Sequence, residues 1–329
     1  MKKLVTLRLM LVTLLIIMSM TMNAQNIYYI NGDFRYKLIT ERQTAEILSY
    51  SGSATEVVIP ESVTYEGITY SVTSLGERCF KERYSLMSIF IPSSVTSLGS
   101  SCFYNCSSLA SIIVDEKNPV YDSRENCNAI IETKSNTMIT GCINTVIPSS
   151  VTSLGTSCFY ACPSLEYINI PSSVKKIGNY CFYSCANLKS ITIPSSVISL
   201  GDACFSGCHS LNSIDIPASV TSMGEGCFYD CYSITSINIQ SSLTSLNKRS
   251  FGGCSSLTSI NIPSTVTSLG EECFSGCSSL TSINIPSSVT ILGDNCFVGC
   301  SSLTSINIPF SRIYQHSIFC EKNWKLLFL

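Results

Sequence analysis

The residues best suited to chemistry in this chain are its 19 cysteines. Most of them recur in the pattern Cys-Phe-x-x-Cys, at 102/106, 158/162, 181/185, 204/208, 227/231, 273/277 and 296/300. A zinc site needs four ligands that converge on one point, whereas identical residues repeated turn after turn form two parallel lines. Thiols also pack well as small apolar side chains. The pattern therefore favours buried core thiols over disulfides, and disulfides over a metal site.

One cysteine pair lies outside this pattern. Cys127 and Cys142 flank the alternating stretch 128–140, which is typical of a hairpin that turns near Ser135 and Asn136. Such a hairpin would bring the two cysteines opposite each other to within about one residue of register. Export to an oxidising compartment would allow them to bond, so they are our disulfide candidate.

Other residue types with catalytic potential lack partners. A recurring hydroxyl follows each Pro-Ser or equivalent pair, at Ser94, Ser150, Ser173, Ser196, Ser219, Ser242, Thr265 and Ser288. A serine nucleophile needs a base held against it, and the two histidines, His209 and His316, lie in no recognisable motif. The acidic residues of the segment 115–125 lack the spacing of a calcium loop. We therefore predict no catalytic, cofactor or metal residues.

The elements that carry these residues are set by an internal repeat. Ile-Pro pairs end at Pro148, Pro171, Pro194, Pro217, Pro263, Pro286 and Pro309, with Gln240 in the same slot, and each step is 23 residues. A fixed period of this length is the signature of a stacked array. Longer steps upstream indicate inserts near 65–73 and 115–146.

A single unit also explains why the array must stack. In the unit that begins at Leu280, the alternation of Ile283, Asn284 and Ile285 predicts a strand that turns isoleucine inward and asparagine outward. Burial of about seven side chains contributes about 1.5–3 kcal/mol each. This gain does not outweigh the conformational entropy lost when 23 residues are ordered, at about 1–2 kcal/mol each. The sequence therefore predicts a mostly β repeat solenoid of about 11 turns. Its expected parts are a parallel strand ladder and, on the opposite side, short turns or 3-10 helices.

The outward strand positions are the candidate binding surface, because extended sheets are where solenoids bind. Their monotony is broken by Glu166, Tyr167 and Lys189, which we expect to contact a ligand. The same face carries a row of polar residues that includes Asn169, Asn238, Asn261, Asn284 and Asn307. A solvated ladder that only keeps the sheet soluble is the alternative for any one of them.

The two ends differ from the array. Residues 1–24 combine a basic start, an apolar run and a small residue at Ala24, as a cleaved signal peptide does. Alternating stretches within 25–56 predict a β-hairpin cap before the array at 57–309. The tail, 310–329, loses the period and ends in Trp-Lys-Leu-Leu-Phe-Leu, which suggests a truncated or frame-shifted end. Its apolar stretch is too short to span a bilayer.

The charge argues against two classes of partner. The chain has 20 basic and 22 acidic residues, and loss of the leader would leave a net charge of about −5. No basic stripe remains for nucleic acid. We also expect no stable membrane insertion after signal cleavage.

The units resemble the BspA type of leucine-rich repeat, which reads approximately L-x-S-I-x-I-P-x-S-V-x-S-I-G-x-x-A-F-x-x-C. The likeness runs from Val57 to Pro309, with cysteine where the family usually has alanine before phenylalanine. It implies a bacterial secreted or cell-surface protein, not an enzyme, that adheres to host matrix proteins, glycans or other cells. Two alternatives are an inactive truncated gene product and an exported hydrolase built on a repeat scaffold.

Overall fold

The structure is a computed structural model that describes residues 26–240, 242–308 and 327–328. The expected signal peptide and nearly all of the expected tail therefore lie outside the described residues. The first twelve strands are β1 (Ile27–Asn31), β2 (Phe34–Ile39), β3 (Thr44–Tyr50), β4 (Glu56–Val58), β5 (Ser62–Tyr65), β6 (Ile68–Leu75), β7 (Ser88–Ile91), β8 (Ser97–Leu98), β9 (Ser111–Val114), β10 (Tyr121–Asp122), β11 (Ala129–Glu132) and β12 (Thr137–Gly141).

Shorter strands dominate the second half of the chain. They are β13 (Ser153–Leu154), β14 (Lys176–Ile177), β15 (Ser199–Leu200), β16 (Ser213–Ile216), β17 (Ser222–Met223), β18 (Ser236–Ile239), β19 (Ser245–Leu246), β20 (Ser259–Ile260), β21 (Ser268–Leu269), β22 (Ser282–Asn284), β23 (Ile291–Leu292), β24 (Ser305–Ile308) and β25 (Leu327–Phe328). In the described ranges the one helix is a 3-10 turn at Arg124–Asn126.

The strands confirm the predicted stacking of turns. Most Ile-Pro segments pair in parallel with their counterpart one turn away, as β16 does with β18, where Ser213 faces Ser236 and Ile216 faces Ile239. The 23-residue offset equals the sequence period because only that register keeps every isoleucine inside. We call the outward surface of these segments the Ile-Pro face. The fold is a parallel-stacked β-solenoid, as the repeat predicts.

A second parallel ladder runs along the array and was not predicted as strand. It is formed by two-residue strands at the Ser-Leu-Gly segments, for example β13, β14 and β15. Two alternating residues give too weak a periodic signal to identify a strand from sequence. The inward leucine of each segment still packs where the period requires, as Leu200 does.

The Cys-Phe-x-x-Cys segments form turns and not helices. In most of these turns the residue before each cysteine has a positive φ, as at Ala203 (47°) and Gly207 (73°). Paired left-handed residues reverse the chain sharply and direct the phenylalanine inward. The phenylalanines stack turn on turn: the ring centroids of Phe182, Phe205 and Phe228 are 5.3 Å apart at each step.

The inserts and the N-terminal segment add antiparallel strands. At the start of the array β1, β2 and β3 form an antiparallel meander, and β3 then pairs in parallel with β6. The first insert is the hairpin of β5 and β6. The second is the hairpin of β11 and β12, which joins the Ser-Leu ladder through β13.

The buried core consists of two clusters that meet at this second hairpin. Ile130 and Cys142 pack in the N-terminal cluster, whereas Ala129, Ile131 and Met138 pack in the C-terminal one. One face of the hairpin therefore serves each half of the array. The insert bridges the stack instead of looping out from it.

Candidate ligand-binding surface

The Ile-Pro face carries the row of asparagines that the sequence singled out. Asn238, Asn261 and Asn284 are exposed, and the backbones of Asn261 and Asn284 form a bridge across neighbouring turns. Asn169 is also exposed and opens the row on the N-terminal side. For Asn307 the structure gives the backbone pairing with Asn284 alone.

Three of the predicted contact residues lie together at one point of this face. Lys189 Nζ lies 2.6 Å from Glu166 Oε2 and 5.6 Å from the centre of the Tyr167 ring. Tyr167 is 61% exposed, and its backbone bridges to Ser190 on the next turn. An exposed ion pair adds little to stability. The arrangement instead presents an aromatic ring, a cation and an anion side by side.

An open cleft lies beside this group. It has a volume of about 400 Å³ and is lined by Thr145, Val146, Tyr167, Asn169 and Ser190, among others. At this point the second insert interrupts the Ile-Pro ladder: β4, β7 and β9 form one sheet, and pairing resumes at Tyr167. The cleft therefore marks the junction between the two halves of the face.

Sequence reasoning missed an apolar continuation of the asparagine row. Upstream of Asn169 the same outward slot holds Val58, Phe90, Ile113 and Val146, which we call the apolar stripe. Val58, Ile113 and Val146 are 70%, 47% and 69% exposed, and Phe90 is partly exposed. In-register pairing joins Val58 to Phe90 and Phe90 to Ile113. Alignment of the Ile-Pro pairs across the two inserts would have revealed it.

The cysteine columns are buried thiols, as the period suggested. Every cysteine in the described part of the chain is free, and all but Cys162 are fully buried. The second cysteine of most motifs donates its S–H to the carbonyl of the phenylalanine one turn back, as Cys208 does to Phe182 at 3.2 Å. Burial raises the pKa of the Cys106 thiol to about 11. The Cys106 thiol is therefore protonated and unreactive at neutral pH.

The disulfide candidate sits at the boundary of the two core clusters. Ala129 pairs with Gly141 in the β11–β12 hairpin, so continuing the register places Cys142 opposite Asn128, one residue from Cys127. Both thiols are free, and Cys142 Sγ lies 3.1 Å from the Asn128 carbonyl oxygen. A bond between Cys127 and Cys142 stays a prediction, which non-reducing peptide mapping of protein expressed in an oxidising compartment would test.

The recurring hydroxyls bond between turns. Ser173, Ser196, Ser219 and Ser288 each donate to the valine carbonyl of the preceding turn at 2.7 Å. Ser94 and Ser150 are exceptions, since their buried hydroxyls have no partner in the structure. Both follow a turn that carries an insert, which displaces the acceptor that the regular turns supply. The hydroxyls thus join turns, and none of them is held against a base.

Other polar groups in the described ranges form local contacts within an insert or between turns. His209 is exposed and stacks on Tyr232 with centroids 4.7 Å apart. Asp122 accepts hydrogen bonds from Arg124 and Thr133 within the second insert. No group of three or more His, Cys, Asp or Glu residues in the described ranges could hold a metal ion. Nor does any helix among those residues have the length and apolarity needed to cross a membrane.

Fold and surface together define a leucine-rich-repeat solenoid with an extended, partly apolar strand face. The family described as the BspA type leucine rich repeat region matches in six copies over residues 48–140, 135–257 and 221–326. The chain therefore belongs to the BspA-type leucine-rich repeat family. No curated protein matches it.

Solved bacterial structures share this architecture. A leucine-rich repeat protein from Eubacterium ventriosum is 18% identical with a TM-score of 0.50, covering 85% of this chain and 90% of that chain. A leucine rich cell surface protein from Faecalibacterium prausnitzii is 24% identical with a TM-score of 0.45, covering 86% and 89%. A leucine-rich repeat protein from Bacteroides ovatus is 26% identical with a TM-score of 0.40, covering 87% and 90%.

Proposed function

We propose that the chain is an exported, cell-surface binding module that adheres to host matrix proteins, glycans or other cells, and that the Ile-Pro face is its main contact surface. The observation that carries this proposal is the apolar stripe, which ends beside Tyr167, Lys189 and Glu166. Contiguous exposed apolar side chains on a soluble protein commonly mark an interaction site. An aromatic residue and cations at the edge of such a patch are typical of interface hot spots.

The composition of the stripe favours a protein ligand on this face. Asparagine occupies the same slot in five of the downstream turns, so solubility alone does not require valine or isoleucine there. Burying the exposed parts of Val58, Ile113 and Val146 against a partner would supply hydrophobic free energy. The Lys189–Glu166 pair would add hydrogen bonds at the edge of that contact.

A binding assay with matched surface variants tests the proposal. Fibronectin, fibrinogen, collagen and laminin are immobilised, and binding of the full chain is measured by biolayer interferometry. The triple variant Val58→Asn, Ile113→Asn and Val146→Asn introduces the residue of the downstream turns, and we expect it to weaken binding at least tenfold. Tyr167→Ala should weaken binding by a similar factor, because ring truncation at a hot spot costs about 1–2 kcal/mol or more.

The control variant removes comparable apolar surface elsewhere. Ile198 and Ile291 are 53% and 61% exposed on the Ser-Leu side of the solenoid, and Ile198→Ser with Ile291→Ser should leave binding unchanged. Equal losses in both sets of variants would contradict a specific role for the Ile-Pro face. Antibody labelling of intact cells tests export separately, and a chain that is detected only after lysis would contradict surface display.

A further inference from the structure

A column of tyrosines runs along the side formed by the Cys-Phe-x-x-Cys turns. The residue after the buried phenylalanine is a partly exposed tyrosine in four turns: Tyr104, Tyr160, Tyr183 and Tyr229. The Tyr160 and Tyr183 rings lie 4.9 Å apart at an angle of 8°, and Tyr104 continues the stack 5.4 Å from Tyr160. Tyr160 and Tyr183 therefore stack face to face, and the Tyr104 ring is tilted by 39° to that of Tyr160.

One position of this tyrosine column lacks an aromatic side chain. Between Tyr183 and Tyr229 the slot holds Ser206, whose small side chain is 5% exposed at the base of the gap. The array itself is unbroken here, because Phe182, Phe205 and Phe228 keep their 5.3 Å spacing beneath. Two such steps place the backbones that carry Tyr183 and Tyr229 roughly 10 Å apart, twice the spacing of adjacent strands.

The next turn keeps this gap open. The slot after Tyr229 is Gly252, and a Cβ there would lie 3.1 Å from Tyr229 Cδ2. The Tyr229 ring therefore lies over Gly252, on the side away from Ser206. A cleft of about 230 Å³ remains, with Tyr183 and Tyr229 as walls and Ser206 at its base.

Polar groups surround the mouth of this cleft. Glu225, Lys248 and Arg249 line it, and the Arg249 guanidinium lies 5.8 Å from the centre of the Tyr229 ring. Lys248 and Arg249 are paired with Glu271 and Glu272 on the next turn. The cations are therefore balanced by carboxylates, and the cleft carries no excess positive charge for an anionic ligand.

We propose that this cleft binds a neutral hexopyranose ring of a glycan chain, held between Tyr183 and Tyr229. A sugar ring that enters the cleft could stack on either tyrosine with ring centres about 4.5–7 Å apart, the range of aromatic stacking contacts. The Glu225 carboxylate would accept hydrogen bonds from sugar hydroxyls, and Lys248 and Arg249 would donate to them. A flat aromatic ligand would fill the stack but offer little to these three groups.

The cleft lies on a different side of the solenoid from the Ile-Pro face, so this inference does not depend on the proposed function. Asparagine substitutions in the apolar stripe should leave glycan binding intact. Conversely, variants of the cleft should leave adhesion to matrix proteins intact. Failure of either idea is therefore distinguishable from failure of the other.

The test places an aromatic side chain at the position of Ser206. Neutral pentasaccharides of glucose, galactose, mannose and N-acetylglucosamine are titrated into the full chain by saturation-transfer NMR and calorimetry. Ser206→Tyr supplies the residue that the adjacent turn has at Tyr183, so we expect the fold to survive and saccharide affinity to fall at least tenfold. Tyr229→Ala, which removes one wall, should give a comparable loss.

Ser275→Tyr is the matched control. It makes the same change three turns further on, where Gly252 and Val298 flank the slot, and it should bind saccharide as the original chain does. Circular dichroism confirms that each variant is folded, and Arg249→Gln gives a second reading, an affinity loss of several-fold, if Ser206→Tyr does not fold. The proposal is overturned if no pentasaccharide binds, if Ser206→Tyr binds normally, or if N-acetyltryptophanamide competes as well as the best saccharide.

Discussion

Truncation of one phenylalanine in the middle of the array tests how the solenoid is held together. Phe205 is fully buried and stacks on Phe182 and Phe228, 5.3 Å away on each side. Phe→Ala in a core costs about 3–5 kcal/mol, and each stacked pair adds about 0.5–1.5 kcal/mol beyond area burial. We expect Phe205→Ala to cost about 5 kcal/mol, the upper end of that range, because it breaks two stacks.

Phe103 provides the matched comparison. It is 8% exposed and stacks on Phe80 alone in the described part of the chain, at 5.5 Å. Since one stack is lost and some solvent contact already exists, Phe103→Ala should cost about 3 kcal/mol, the lower end of the same range. Phe205→Leu, which keeps most of the volume, should cost about 1.5 kcal/mol or less.

Native-state hydrogen exchange read by mass spectrometry is the appropriate assay, because long repeat arrays do not unfold in one step. Nearest-neighbour stability predicts that Phe205→Ala lowers amide protection most in its own turn and in the turns of Phe182 and Phe228. Turns that lie three or more repeats away should keep their amide protection. An even loss of protection along the whole array, or a loss under 1 kcal/mol in the mutated turn, would refute this reasoning.

Three further predictions concern groups with unusual surroundings. Ser196→Ala should lower the free energy of unfolding by about 1 kcal/mol, because it removes a hydrogen bond to the Val174 carbonyl. Ser150→Ala should leave that free energy unchanged or raise it, since the Ser150 hydroxyl has no partner. Urea unfolding measures both effects. Desolvation would raise the pKa of Asp122, but hydrogen bonds from Arg124 and Thr133 outweigh it and lower the pKa. Its stabilising effect should therefore be present above about pH 4 and be lost below that, so Asp122→Asn and the original chain should converge in stability in acid. Burial raises the pKa of the Cys106 thiol to about 11 and raises the pKa values of Cys185 and Cys208 as well. Stability should therefore fall as the pH rises above about 8.5, and iodoacetamide at pH 8 should label these three thiols only after denaturation.

Equal costs for the two serine variants, an acid profile unchanged by Asp122→Asn, or rapid alkylation of the native chain would each contradict the corresponding argument. The serine comparison is internally controlled, because both hydroxyls occupy the same slot of the repeat. For the thiols, alkylation in guanidinium provides the reference for complete labelling.

The sequence predicted the parts of the fold that depend on burial. A period of 23 residues requires Ile214 to pair with Ile237 and both to point inward, and they do. Features that depend on backbone geometry between turns were not predicted. The Ser-Leu strands are too short for a periodic signal. The hydrogen bond from the Cys208 thiol to a carbonyl one turn back is not visible in any local sequence pattern.

The candidate site was predicted only where it departs from the repeat within an unbroken register. Glu166, Tyr167 and Lys189 replace the usual small residues in adjacent turns, and the structure brings them into contact. The apolar stripe was missed because two inserts shift the numbering between Val58 and Val146. The gap at Ser206 was missed although the register there is unbroken. Serine is common in this repeat, and the gap becomes evident only when the tyrosines of the neighbouring turns are seen as a column.

The two inserts also bear on the proposed function of the Ile-Pro face. In a regular array each turn supplies hydrogen-bond acceptors to the next. The carbonyls that accept from the Ser173 and Ser196 hydroxyls are examples. Each insert breaks this exchange and leaves one buried hydroxyl, Ser94 or Ser150, without a partner, at about 1–3 kcal/mol apiece. The outward row that spans both interruptions is also the row that changes from asparagine to valine, phenylalanine and isoleucine. A stability cost and an exposed apolar surface thus coincide in the same turns, and neither helps a repeat whose sole task is to stack. Under the proposed function, a ligand that covers the apolar stripe would account for the exposed surface, and the inserts would shape the cleft at its end.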